Sequence, residues 1–177
     1  IGYQVALLST GRVDTAEAVI ADALAIWNQP LLPDLEFRLV AARTHVALAR
    51  GDGSGALGLL DRAPFTVRAL RRFRLPRLIL DSLTARALAL LPPSWRRDRR
   101  LRLVLHSLQT NGCVWAEAMG QAHSAEWLMR QGELAEAVVL RDRATDTLRE
   151  EHHGLVADAL GGTDGDLRAR GVADPGL

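Results

Sequence analysis

Arginine dominates the residues able to do chemistry. Between Val67 and Arg102 the chain carries 11 arginines against two acids, Asp81 and Asp98, a local balance of +9. All 177 residues together have a formal charge of only +1, because residues 1–66 contribute −2 and residues 103–177 contribute −6. Arg68, Arg71 and Arg72, and again Arg97, Arg99 and Arg100, recur at spacings that bring several guanidinium groups to one helical face. Such a face attracts phosphates or an acidic partner. The competing reading is a solvated face paired with acidic helices, including Asp142, Asp146, Glu150 and Glu151. Few aromatics interleave with these arginines, which argues against stacking of single-stranded bases.

The remaining reactive side chains are scattered. His152 and His153 are adjacent, so on a helix their side chains diverge by about 100°, and no third residue stands at a metal-ligand spacing. They read as cations complementing a helix C-terminus. His45, His106 and His123 are isolated along the chain. Cys113, the single cysteine, lies near Trp115 and reads as a small buried hydrophobe. No motif places a general base beside it, so no catalytic residue, metal or cofactor is expected. Trp27, Trp95, Trp115 and Trp127 fall within or beside helical stretches and are expected in the core.

The elements that must position these residues are helices. Apolar residues make up 48% of the chain but aromatics only 5%, and Ala and Leu dominate the apolar share. All 22 basic residues are Arg, which points to a GC-rich bacterial genome. One cysteine excludes an intramolecular disulfide and fits a reducing, cytoplasmic location. No apolar run approaches the roughly 20 residues of a membrane span, and the first residues lack a basic leader. The chain therefore reads as soluble, without membrane contact, and as a piece of something longer.

Three segments share one register. Gly11, Gly51 and Gly132 are each followed by Ala at the fifth position (Ala16, Ala56, Ala137), by an apolar residue at the eighth (Val19, Leu59, Leu140) and by Ala at the twelfth (Ala23, Ala63, Ala144). The Gly spacings are 40 and 81, so one unit near residue 91 has lost its signature. Gly suits a left-handed turn ending one helix, and Ala five positions on is small enough for the next helix to cross closely.

The expected elements follow from this register. Helices are expected near 3–10, 13–27, 34–50 and 54–63, then a short basic helix near 65–74 divided by Pro76 from another near 77–91. Pro92-Pro93-Ser94 should cap a helix to about 109, with Leu101, Val104, Leu105 and Leu108 as its buried stripe. Asn111-Gly112 closes it, and a last hairpin spans 113–131 and 134–152. One helical domain is expected over residues 1–160. A short turn near 155–160 and a mobile tail over 161–177 complete the chain.

Ala16, Ile20 and Ala23, and Ala56, Leu60 and Ala63, follow a small, bulky, small pattern that resembles the second-helix signature of tetratricopeptide repeats. Ala137 and Ala144 match it, with Arg141 at the bulky position. The period is about 40 instead of the usual 34. The resemblance implies an all-α, right-handed superhelix of about four antiparallel hairpins, a TPR-like solenoid. In that family the first helices line a concave face that binds proteins or peptides. Arg38, Ala41, His45 and Leu48 would lie on it in the second unit, and Met119, Ala122, Glu126 and Met129 in the fourth. Arg38, His45, Glu126 and Met129 are the candidate partner-binding residues.

Longer units of this kind are similar to those in large bacterial transcriptional regulators, where a helical array joins an ATPase and a DNA-binding domain. No phosphate-binding loop or helix-turn-helix is present here. The expected function is a protein- or peptide-binding scaffold, the sensor or interaction part of a regulator, and not an enzyme. The alternatives are nucleic-acid contact, through the Arg-rich segment 67–102 or a domain outside this chain, and a small helical enzyme.

Overall fold

A computed structural model of the chain describes residues 12–26 and 32–151, and among these it is helical with no strand. The helices are α1 (Val13–Ile26), α2 (Pro33–Ala49), α3 (Gly53–Asp61), α4 (Phe65–Ala69), a 3-10 turn (Leu70–Arg72), α5 (Arg74–Leu90), α6 (Trp95–Gln109), α7 (Val114–Gln131) and α8 (Leu134–Glu150). The helix expected near 3–10, Gly11, Trp27, His152, His153, and the turn and tail over 155–177 lie outside the described residues. The chain divides into two compact units, Ile1–Val104 and Leu105–Leu177.

In the first unit, successive helices pack on one another: α1 on α2, α2 on α3, and α3 on α5. The sequence of α2 explains its middle position, because it carries two apolar stripes. Phe37, Ala41 and Leu48 enter one core with Ala56, Leu60, Leu83 and Ala87. Ala42 and Val46 enter a second core with Ala16 and Ile20 of α1. α5 is buried continuously from Leu80 to Ala85 and again from Ala87 to Ala89, as expected for a helix enclosed on several sides. The buried hydroxyl of Thr84 is satisfied within the helix, its Oγ1 donating to the Leu80 carbonyl at 2.6 Å. In the second unit α7 and α8 form one hairpin, with Ala118, Ala122, Ala144 and Leu148 packed together and Ala125, Leu128 and Ala137 beside the turn.

Of the three described left-handed glycines, Gly51, Gly112 and Gly132, the two that belong to the repeated register sit in equivalent turns. Gly51 has φ 74° and Gly132 has φ 86°. After each, a backbone N–H reaches back five residues, Asp52 to the Ala47 carbonyl at 2.9 Å and Glu133 to the Leu128 carbonyl at 3.0 Å. This is the bond that closes a helix ending in a left-handed residue. Ala56 and Ala137, each five positions on, are fully enclosed, and Ala63 and Ala144 are buried too. Ala23 departs from the register, since it is exposed on α1. Arg141 does not: it fills the bulky position and is buried like Ile20 and Leu60.

The irregular segment differs from its sequence-based reading. Pro76 does not divide two helices. The break lies at Phe73, whose backbone is extended (φ −91°, ψ 139°), and Pro76 sits in the first turn of α5. First-turn N–H groups have no acceptor within the helix, so a proline there removes nothing. The stretch expected as one helix over 65–74 is α4 followed by the 3-10 turn.

Candidate interaction surface

Residues expected on a binding face stand as follows. Arg38 is exposed on α2, and its Nε donates to Asp34 Oδ2 one turn earlier at 2.6 Å. His45 lies seven residues on, on the same side of the helix, and is half-buried. Glu126 and Met129 lie on α7. Met129 packs against the core of Ala125, Leu128 and Ala137. Glu126 is half-buried, its Oε2 3.7 Å from Nδ1 of the enclosed His123. Thus Arg38 and His45 belong to one unit, and Glu126 and Met129 to the other.

The Arg-rich stretch separates into structural and outward-facing members. Arg97 is buried, with only 4% of its side chain exposed, and is therefore no part of an exposed basic patch. Its Nη1 donates to the Leu91 carbonyl at 2.8 Å and its Nε to Asp98 Oδ1 at 2.8 Å, which ties the α5–α6 connection to the first turn of α6. That turn is also capped by Ser94, whose Oγ accepts from the Arg97 N–H at 3.3 Å. Arg100 donates to Asp61 from both terminal nitrogens, Nη2 to Oδ1 at 2.6 Å and Nη1 to Oδ2 at 3.1 Å, and joins α6 to the end of α3. The hydrogen bond to Asp61 raises its pKa, so the guanidinium is charged throughout the accessible range. Arg71 donates to the buried Asp81 at 3.3 Å. Asp81, Asp98 and Asp61 thus supply carboxylates for Arg71, Arg97 and Arg100.

Arg86 is half-buried on α5, and the others are exposed. Arg68 and Arg99 are exposed, as the helical spacing implied, and Arg72 lies over the Phe73 ring with its guanidinium 5.0 Å from the ring centre. Arg96 and Arg102 are exposed on α6 as well. Arg96 covers one face of Trp95 at 5.6 Å. The expectation that Trp95 lies in the core is wrong: it is 67% exposed, because it occupies the first position of α6 on the side away from Leu101, Leu105 and Leu108. Trp115 and Trp127 do pack against the α7–α8 core. Phe65 and Phe73 are exposed as well, so aromatics do interleave with the outward arginines.

Among the described residues no group of three His, Cys, Asp or Glu side chains could hold a metal ion. No described helix is long and apolar enough to cross a membrane. The fold is that of an all-helical protein in which sequence-adjacent helices pack on one another. In comparison with known proteins, no family model, curated protein or solved structure matches the chain.

Proposed function

We propose that the chain is a helical-repeat scaffold of the tetratricopeptide kind that binds a protein or peptide, and that it serves as the interaction or sensor part of a larger bacterial regulator. The observation that carries this reading is the equivalence of the hairpins at Gly51 and Gly132. Both share the left-handed glycine, the long-range closing hydrogen bond and enclosed alanines five and twelve positions on. Units so alike stack into a right-handed superhelix when each buries its neighbour's apolar face, and the two stripes of α2 have the form that stacking needs. The first helices of the hairpins, α2 and α7, then present Arg38 and His45, and Glu126 and Met129, to a partner. The role is recognition, with no catalytic step assigned to this chain.

Affinity capture from a lysate of the source organism tests the reading. The wild-type chain is expected to retain a discrete protein or peptide across a range of salt, and a variant carrying both Arg38→Ala and His45→Ala to lose it. Retention of the same partner by both proteins, or of none by either, contradicts the proposal.

A further inference from the structure

The outward face of α6 is separate from the residues assigned to the concave face. Trp95, Arg96, Arg99, Arg102 and Leu103 are exposed, while Arg97, Leu101 and Leu105 turn inward. At 3.6 residues per turn the five exposed residues occupy an arc of about 120° over about 12 Å of helix. Their angular order is Arg102, Trp95, Arg99, Leu103, Arg96, so cationic and apolar side chains alternate across the surface. Arg99 and Arg102 have no ion-pair or hydrogen-bond partner among the described residues, unlike Arg97 and Arg100 on the same helix. The one acid in this part of the helix, Asp98, is half-buried and occupied by Arg97. The face therefore holds three outward positive charges with no neutralising carboxylate on it.

We propose that this face binds single-stranded nucleic acid, with Trp95 stacking on a base and Arg96, Arg99 and Arg102 meeting phosphates. The guanidinium of Arg96 covers one side of the indole, and the ring is 67% exposed, which leaves the other side for a planar base. The same pairing recurs in Arg72 and Phe73. An anionic membrane is the poorer fit, because a helix lying in a bilayer interface gathers its apolar residues on one side. Here Arg99 lies between Trp95 and Leu103, and insertion of either would carry its guanidinium along. An acidic peptide would satisfy the charges but would leave the exposed indole without a planar partner. The inference is independent of the concave-face reading, since it uses none of the residues assigned there.

Fluorescence anisotropy with a labelled single-stranded DNA of about 12 nucleotides tests it on the full 177-residue chain. Binding should weaken as salt rises from about 50 to 200 mM. A variant with Arg96, Arg99 and Arg102 all replaced by Gln should lower the slope of log K against log salt by about 2, the value for three phosphate contacts on a single strand. Trp95→Ala should weaken binding between about 5-fold and 100-fold, and Trp95→Phe should restore most of it. Far-UV circular dichroism confirms that each variant is folded, and Arg99→Gln alone, with a slope change of about 0.7, serves if the triple variant is not. A slope unaffected by these changes, or a Trp95→Ala variant that binds as the wild type does, overturns the proposal. So does equal affinity for polyglutamate, or binding to phosphatidylserine vesicles that Trp95→Ala abolishes.

Discussion

Two Gly→Ala substitutions in the same nine-residue helix, α3, should change stability in opposite directions. Ala is favoured over Gly inside a helix by about 1 kcal/mol, so propensity alone makes both changes stabilising. At Gly58 nothing lies within 4 Å of an added Cβ. Gly58→Ala should therefore gain about 0.5–1 kcal/mol. At Gly53 an added Cβ would stand 2.7 Å from the Ala87 carbonyl oxygen and 2.7 Å from Leu90 Cβ. Neither obstacle is the far end of a flexible side chain, so α3 and α5 must separate, and overpacking of this kind costs about 1–3 kcal/mol. Gly53 is also the first residue of α3, where the propensity gain is smallest. Packing then wins, and Gly53→Ala should cost about 1–2 kcal/mol net. Urea unfolding followed by circular dichroism measures both, with midpoints shifting in opposite senses and the m-value unchanged. A Gly53→Ala midpoint as high as that of Gly58→Ala would mean that α3 does not approach α5 as described.

Other substitutions probe the register and the arginines. Ala137→Leu, at a fully enclosed site, should cost about 1–3 kcal/mol in the same assay, whereas Ala23→Leu, exposed on α1, should stay within about 0.5 kcal/mol of wild type. Gly51→Ala and Gly132→Ala meet no atom within 4 Å but force Ala into a left-handed backbone, so each should cost about 1–2 kcal/mol in chemical denaturation. Arg97→Ala strips the Leu91 carbonyl of its side-chain donor and should cost about 1–3 kcal/mol, while the exposed Arg99→Ala should be nearly silent in thermal melts. A double-mutant cycle on Arg100 and Asp61, both half-exposed, should give a coupling of up to about 1 kcal/mol that shrinks in high salt.

Much of the helical layout was legible because it rests on local chemistry. Gly51 and Gly132 adopt the left-handed turn their spacing implied, and the bounds of α2, α3, α6, α7 and α8 fall within two residues of expectation. Ala56 and Ala137 are enclosed because a helix crossing needs a small side chain, and that need repeats with the turn. What depended on tertiary context was not legible. Pro76 looks like a breaker in one dimension, yet first-turn placement makes it harmless. A run of arginines gives no local sign of which member turns inward, and Arg97 does so because the Leu91 carbonyl, at the end of α5 just before Pro92-Pro93, accepts from it. Trp95 was misplaced because its size suggested burial, although the buried stripe of Leu101, Leu105 and Leu108 already set it on the far side of α6. That stripe held the signal that Arg96, Arg99 and Arg102 share the outward face with it.

The proposed scaffold function is tested most directly by site-specific photo-crosslinking on α2. A benzophenone side chain introduced at position 38, on the proposed partner-binding face, should capture a discrete protein or peptide in the source cell. The same group at position 43, exposed but turned by about 140° around the helix, should not. Capture of the same partner with equal yield from both positions, or of none from position 38, would contradict the account.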